Sequence, residues 1–126
     1  MNTERKYKYD LEERLIEFSS SVIDVAERIG HSSTALILAK QLTRSGISPS
    51  LNYGEAQGAE SREDFIHKMK ICLKELRETL VCLKIISKRK LSKDESMLSG
   101  VMKENNELIA IFVKSIETAQ KSLIKK

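Results

Sequence analysis

Apolar residues recur every three or four positions in four separate runs along the chain, and polar residues fill the places between them. The first run is Leu11, Leu15, Phe18, Val22, Val25 and Ile29. This heptad-like stripe suits a helix packed in a bundle. Asp10 can cap that helix, with Glu12 and Glu13 in a first turn where the helix dipole favours anions, and Gly30 can close it. Ser32 or Ser33 caps a second segment whose inner face holds Ala35, Leu38, Ala39 and Leu42. Ser61, with Asp64 three residues on, opens a third helix with the stripe Phe65, Met69, Cys72, Leu76, Leu80 and Leu83. Ser92 with Glu95 forms a capping box for a fourth. Its inner line is Leu98, Val101, Leu108, Phe112, Ile116, Ala119 and Leu123, interrupted by the polar Asn105. The predicted helices span about 10–30, 33–60, 62–89 and 93–123. No alternation of strand type competes with them. Short connections make neighbours antiparallel, so the pattern predicts an all-α, up-down-up-down four-helix bundle filling one domain, 1–126.

Residues 45–61 break the pattern. Gly46 and Pro49 could end the second helix, but a structureless loop of that length is rare inside a compact domain. The alternative is a helix that continues through a kink near Pro49, which costs about 3 kcal/mol or more unless packing offsets it. The kinked helix gives the small residues Ser45, Ser48, Gly54, Ala56, Gly58 and Ala59 a purpose, because another backbone can then come close. Leu51 and Tyr53 would anchor it. Arg44 and Glu55 are candidates for a half-buried structural pair near the kink, in which loss of one partner would strand a charge.

Composition agrees with helices. The chain is 40% hydrophobic and 32% charged, with a single proline and five glycines, too few for the many corners of a β domain. There are only six aromatic residues and no Trp, so aliphatic side chains must fill the core. No apolar run approaches the roughly 18 residues that cross a bilayer, and MNTERKYKYD lacks the apolar stretch of a secretory signal. Cys72 and Cys82 are separated by roughly 15 Å of helix and cannot pair with each other. Two free thiols buried as small hydrophobes fit a reducing cytoplasm.

Charge is spread unevenly behind the net +4. Residues 10–30 carry six acids and two bases, whereas residues 62–93 carry ten bases and four acids. On a helix, Lys70, Lys74, Arg77, Lys84 and Lys88 fall within about 40° of one line roughly 27 Å long. Arg89, Lys90 and Lys93 extend it. Evenly placed cations suit a phosphate backbone and need no base-specific chemistry. The blander alternative is a solvated helix face. Ile71, Cys82 and Ile85 occupy another side of the third helix, and Ile109, Ile111 and Val113 surround much of the fourth. A bundle subunit buries about one face per helix, so these residues, with Ile71, Cys82, Ile85 and Ile111 foremost, are candidates for an oligomer interface. The acidic first helix and basic third helix could also pair head-to-tail.

Catalytic chemistry finds little to use. A di-metal bundle needs two Glu-x-x-His motifs and two more carboxylates. Asp64 and His67 supply one carboxylate–His pair with no second copy, and His31 sits alone at a turn. Two histidines and two separated cysteines make no zinc site. No phosphate loop follows a strand. No catalytic residue, metal or cofactor is expected.

The run Arg44-Ser45-Gly46-Ile47-Ser48-Pro49-Ser50-Leu51-Asn52-Tyr53-Gly54-Glu55-Ala56, then Phe65-Ile66, then Leu73-Lys74-Glu75-Leu76-Arg77-Glu78-Thr79, resembles the four-helix-bundle family of bacterial 23S-rRNA intervening-sequence proteins. The likeness spans nearly the whole chain, although Tyr53-Gly54-Glu55-Ala56 stands where that family commonly has Ile-Ala-Glu-Gly. The resemblance implies a ring-shaped homo-oligomer, typically a pentamer. One branch is similar to accessory proteins of diversity-generating retroelements, which implies RNA and a reverse transcriptase as partners. In a ring, repeated basic stripes would act together. Two functions follow as expectations: a non-enzymatic accessory protein binding RNA or DNA through the third helix, or a scaffold for protein partners alone.

Overall fold

The computed structural model describes residues 3–124, with side chains from Leu11 onward. Four helices make up the fold: α1 (Thr3–Ala26), α2 (Ser33–Gln57), α3 (Arg62–Lys88) and α4 (Glu95–Ile124). Backbones approach between α1 and α2, α2 and α3, α3 and α4, and more sparsely between α1 and α4. The diagonal pairs stay apart, so the chain runs around a four-cornered bundle in sequence order. Cross-links show the neighbours to be antiparallel. Arg14 of α1 meets Glu104 of α4, while Arg28, beyond the other end of α1, accepts a backbone hydrogen bond from Lys93 just before α4.

The helix ends depart from expectation at both ends of α1, at the end of α2, which stops at Gln57, and at the start of α4. α1 begins at Thr3, so Asp10 lies inside the helix and is not its cap. At the far end α1 stops at Ala26, its last turn tightens through Arg28 N donating to Val25 O, and Gly30 follows at φ +94°. A glycine adopts that left-handed conformation without strain. Ser32 caps α2 by accepting from Ala35 N at 3.1 Å, and Ser61 caps α3 by accepting from Asp64 N at 3.0 Å. For α4 the cap is Asp94, whose carboxylate accepts from Met97 N at 2.9 Å. Ser92 instead accepts from Asp94 N and holds the turn before the helix. The capping-box reading therefore started α4 two residues early.

α2 continues without a break through Pro49. The ring removes the hydrogen bond that residue 49 would give to Ser45 O. Pro49 is buried, and its own carbonyl accepts the Cys72 thiol at 3.5 Å. Close approach to α1 occurs at Gly46, where an added Cβ would lie 2.4 Å from Val22 Cγ1. Gly54, expected to serve such an approach, faces open space. Hydroxyls line this seam: Ser19 Oγ lies 2.8 Å from Gly46 O, Ser50 Oγ lies 3.0 Å from Leu15 O, and the two hydroxyls, 2.7 Å apart, share their two protons among these contacts.

The core joins Leu15, Phe18, Val22 and Val25 of α1 to Leu42 and Tyr53 of α2, Met69, Cys72, Leu76, Leu83 and Ile86 of α3, and Leu98, Leu108 and Phe112 of α4. Tyr53 and Phe112 meet edge-to-face across the diagonal, ring centres 6.0 Å apart. On α3 the buried set also takes in Ile66 and Thr79, whereas Leu80 is half-buried. Three polar residues, Ser45, Thr79 and Asn105, sit at this core with no exposure. Thr79 reaches Ser45 Oγ at 2.9 Å and its own helix at Glu75 O. Asn105, its amide turned so that both atoms are satisfied, donates to Leu76 O at 3.0 Å and accepts from Leu80 N at 3.1 Å. The fourth helix is thereby keyed to one rung of the third.

Candidate nucleic-acid interface

The basic line stands on α3 because the opposite side of that helix is occupied. Met69, Cys72, Leu76, Leu83 and Ile86 point into the core, which turns Lys70, Lys74, Arg77, Lys84 and Lys88 to the outside. All five are exposed, and among the described residues none makes an ion pair. Arg89, Lys90 and Lys93 are exposed just beyond the helix end. Val81, 57% exposed, occupies the gap between Arg77 and Lys84. The cationic line therefore has an apolar break near its middle.

The two acids midway along α3, Glu75 and Glu78, are held by α2. Arg44 bridges Glu75 at 3.2 Å and also binds Glu78. Glu55 takes Lys68 at 2.9 Å, and that contact raises the ammonium pKa of Lys68. The expected Arg44–Glu55 pair does not form. Eleven residues of continuous helix hold them about 16 Å apart, beyond side-chain contact along one face. Each pairs across to α3 instead, so two independent links tie α2 to α3.

Of the four residues expected at an oligomer interface, Cys82 is only 9% exposed and belongs to the subunit's own core. Its thiol pKa is raised by burial. Ile85 is exposed, while Ile71 and Ile111 are half-buried. Sequence reasoning missed another apolar surface. Ile16 and Ile23 on α1 and Leu36, Ile37 and Leu51 on α2 are all exposed. Leu51, expected to anchor the second helix beside the buried Tyr53, is turned outward instead, and the signal for the other four was present, since they fall outside the core stripes of their helices.

Among the described residues no three His, Cys, Asp or Glu gather where they could hold a metal ion. His31 and His67 are exposed. Burial pushes the Cys72 thiol up to about 12, the opposite of what a thiolate nucleophile needs. Open grooves lie between helices, including one of about 250 Å³ between α1 and α4 lined by Phe18, Met97, Val101 and the carboxylates Glu17 and Glu104. Glu104 is already bound to Arg14 at 2.7 Å, an interaction that raises the arginine pKa.

The model of the family described as 23S rRNA-intervening sequence protein matches residues 8–123, from within α1 to within the last turn of α4. The chain belongs to that family. A similar solved structure is that of a protein with unknown function from the S23 ribosomal protein family, from Bacteroides thetaiotaomicron VPI-5482. It has a TM-score of 0.76 and 26% sequence identity, and the match covers 83% of this chain and 96% of that one. No curated protein matched the sequence. Membership in the 23S rRNA-intervening sequence family accounts for the bundle and the spacing of its motifs. No helix of the described residues is long and apolar enough to cross a membrane.

Proposed function

We propose that this chain is a non-enzymatic nucleic-acid-binding subunit that takes RNA or DNA phosphates on the outward line of α3. The observation that carries the reading is the set Lys70, Lys74, Arg77, Lys84 and Lys88, all exposed and none engaged by a carboxylate among the described residues. Cations with no internal partner remain available to an external polyanion. Their order along one helix suits the sugar–phosphate backbone, and recognition is by charge and shape. Only Val81 interrupts the line, and no exposed aromatic side chain lies on it for base stacking.

The same reading places the bundle in a cytoplasmic homo-oligomer, a ring of pentameric type, in which α2 bends at Pro49 where the hydrogen bond to Ser45 is missing. Stripes repeated around the ring would bind one polymer at several points, with an effective concentration that a lone subunit lacks. A reverse transcriptase or another nucleic-acid enzyme is the partner class that such an accessory protein would serve. The competing reading, a scaffold for proteins alone, draws on the weakness of isolated charged faces as binding sites.

Reversal of charge at Lys70→Glu, Lys74→Glu and Arg77→Glu separates the two readings. Retention of single-stranded RNA or duplex DNA by the wild type at low salt, lost in the triple variant with helix content unchanged, is the expected result. Wild-type protein that retains neither polymer would leave the scaffold reading.

A further inference from the structure

We infer that copies of this chain meet through the outward faces of α1 and α2, with α1 of one copy lying on α2 of the next. The inference rests on the self-association proposed above and gives it a surface. Five of the exposed large apolar side chains among the described residues share these two helices: Ile16 (51%) and Ile23 on α1, and Leu36 (55%), Ile37 (65%) and Leu51 (64%) on α2. They do not lie scattered. The Ser50–Leu15 hydrogen bond sets Ile16 at the height of Leu51. An open groove of about 440 Å³ runs on between the helices past Ile23, Ala26, Ala39 and Thr43. Apolar side chains clustered on one face, where singly scattered ones would be ordinary, mark a contact surface. By comparison, the α3–α4 side loses Cys82 to the core and keeps Ile71 and Ile111 half-covered, leaving Ile85 as the one exposed member of that set.

Charge selects a second copy as the occupant. Glu27 on the α1 rim and Lys40 on the α2 rim border the same groove, at the same height, and the two make no ion pair with each other. Rotation about an axis parallel to the helices preserves height. Such a rotation places α1 of one copy over α2 of its neighbour, Ile16 against Leu51, and Glu27 against Lys40. One chain thus carries both halves of the contact. α3 stands diagonal to α1 in the bundle, so the basic line stays uncovered in this arrangement.

Light-scattering mass in the absence of nucleic acid tests the surface. The wild type is expected at a multiple of the 14.3 kDa subunit. Ile16→Glu with Ile23→Glu, and separately Leu51→Lys, are expected to bring it to one subunit with circular dichroism and melting unchanged, because all three positions are exposed. Glu27→Lys and Lys40→Glu should each weaken association severalfold, and the two together in one chain should restore it. A wild type at one subunit overturns both self-association and this surface. A wild-type oligomer that survives the α1 and α2 substitutions overturns the surface alone, and reversed charges that fail to restore association overturn the register. RNA retention by the dissociated variants, read separately, bears on the basic line only.

Discussion

Gly46 and Gly54 show how two glycines eight residues apart on one helix carry opposite instructions. A methyl at Gly46 would meet Val22 at 2.4 Å, in a seam where Ser19 also holds the Gly46 carbonyl. Gly46→Ala is therefore expected to lower stability by about 1–3 kcal/mol through overpacking. Gly54→Ala, with nothing within 4 Å, should raise it by about 0.5–1 kcal/mol through helix propensity. Urea melts of the two variants check the sign of each. The sequence marks both positions as small but not which one another helix touches, since that depends on the rotation of α1. Cys72 is a second case at this scale. Its spacing marks it as core, yet its bond to Pro49 O is long-range and invisible in any local pattern. The folded thiol pKa of about 12 lies above the unfolded value of about 8.5, so the neutral thiol is favoured by folding. Stability is thus expected to be unaffected below about pH 8 and to fall as pH rises from there toward 12. Cys72→Ala should lose that part of the alkaline decline, which denaturation at a series of pH values would measure.

At the scale of the helix, the apolar periodicity of three and four was enough to place all four elements and most of their buried faces. It failed where ends are decided by one hydrogen bond. Ser92 with Glu95 read as the helix start, but the structure gives the Met97 amide to Asp94. Asp94→Ala should cost about 1 kcal/mol, within a range of about 0.5–2, and Ser92→Ala less, in paired thermal melts. Equal losses would contradict the assignment. The other end of the α3–α4 connection holds a residue that local reasoning would not choose. Lys90 sits at φ +54° while Leu91 N closes back on Ile86 O. A side chain in that left-handed conformation is strained by about 1–2 kcal/mol. Lys90→Gly is expected to raise the melting temperature, with a gain near 1 kcal/mol because glycine's greater freedom when unfolded takes back part of the relief. Continuous passage of α2 through Pro49 was legible because a long loop was the poorer alternative. The partners of Arg44 and Glu55 were not, because continuous helix keeps the two apart and the register of α2 on α3 then decides which α3 side chain each one meets.

For the whole molecule, sequence order around the bundle decides which charges share a side. α3 sits opposite α1, so the acid-rich first helix and the base-rich third face away from each other, and α2 neutralises Glu75 and Glu78 beside the basic line. The line itself was legible from residue spacing alone. The neutralisation was not, since it depends on which helices become neighbours; the apolar positions of α1 and α2 off the core stripes were visible, but only the pairing of the two helices joins them into one face. The central claim is that α3 holds polyanions by their phosphates. Affinity for a short DNA duplex, measured from low to physiological salt, tests it most directly. If all five cations of one line engage phosphates, log affinity should fall against log salt with a slope of about −4 to −5 per subunit bound, and removal of two should lower the magnitude by about 2. Binding that ignores salt, or a slope unchanged when Lys74 and Arg77 are replaced, would contradict the account.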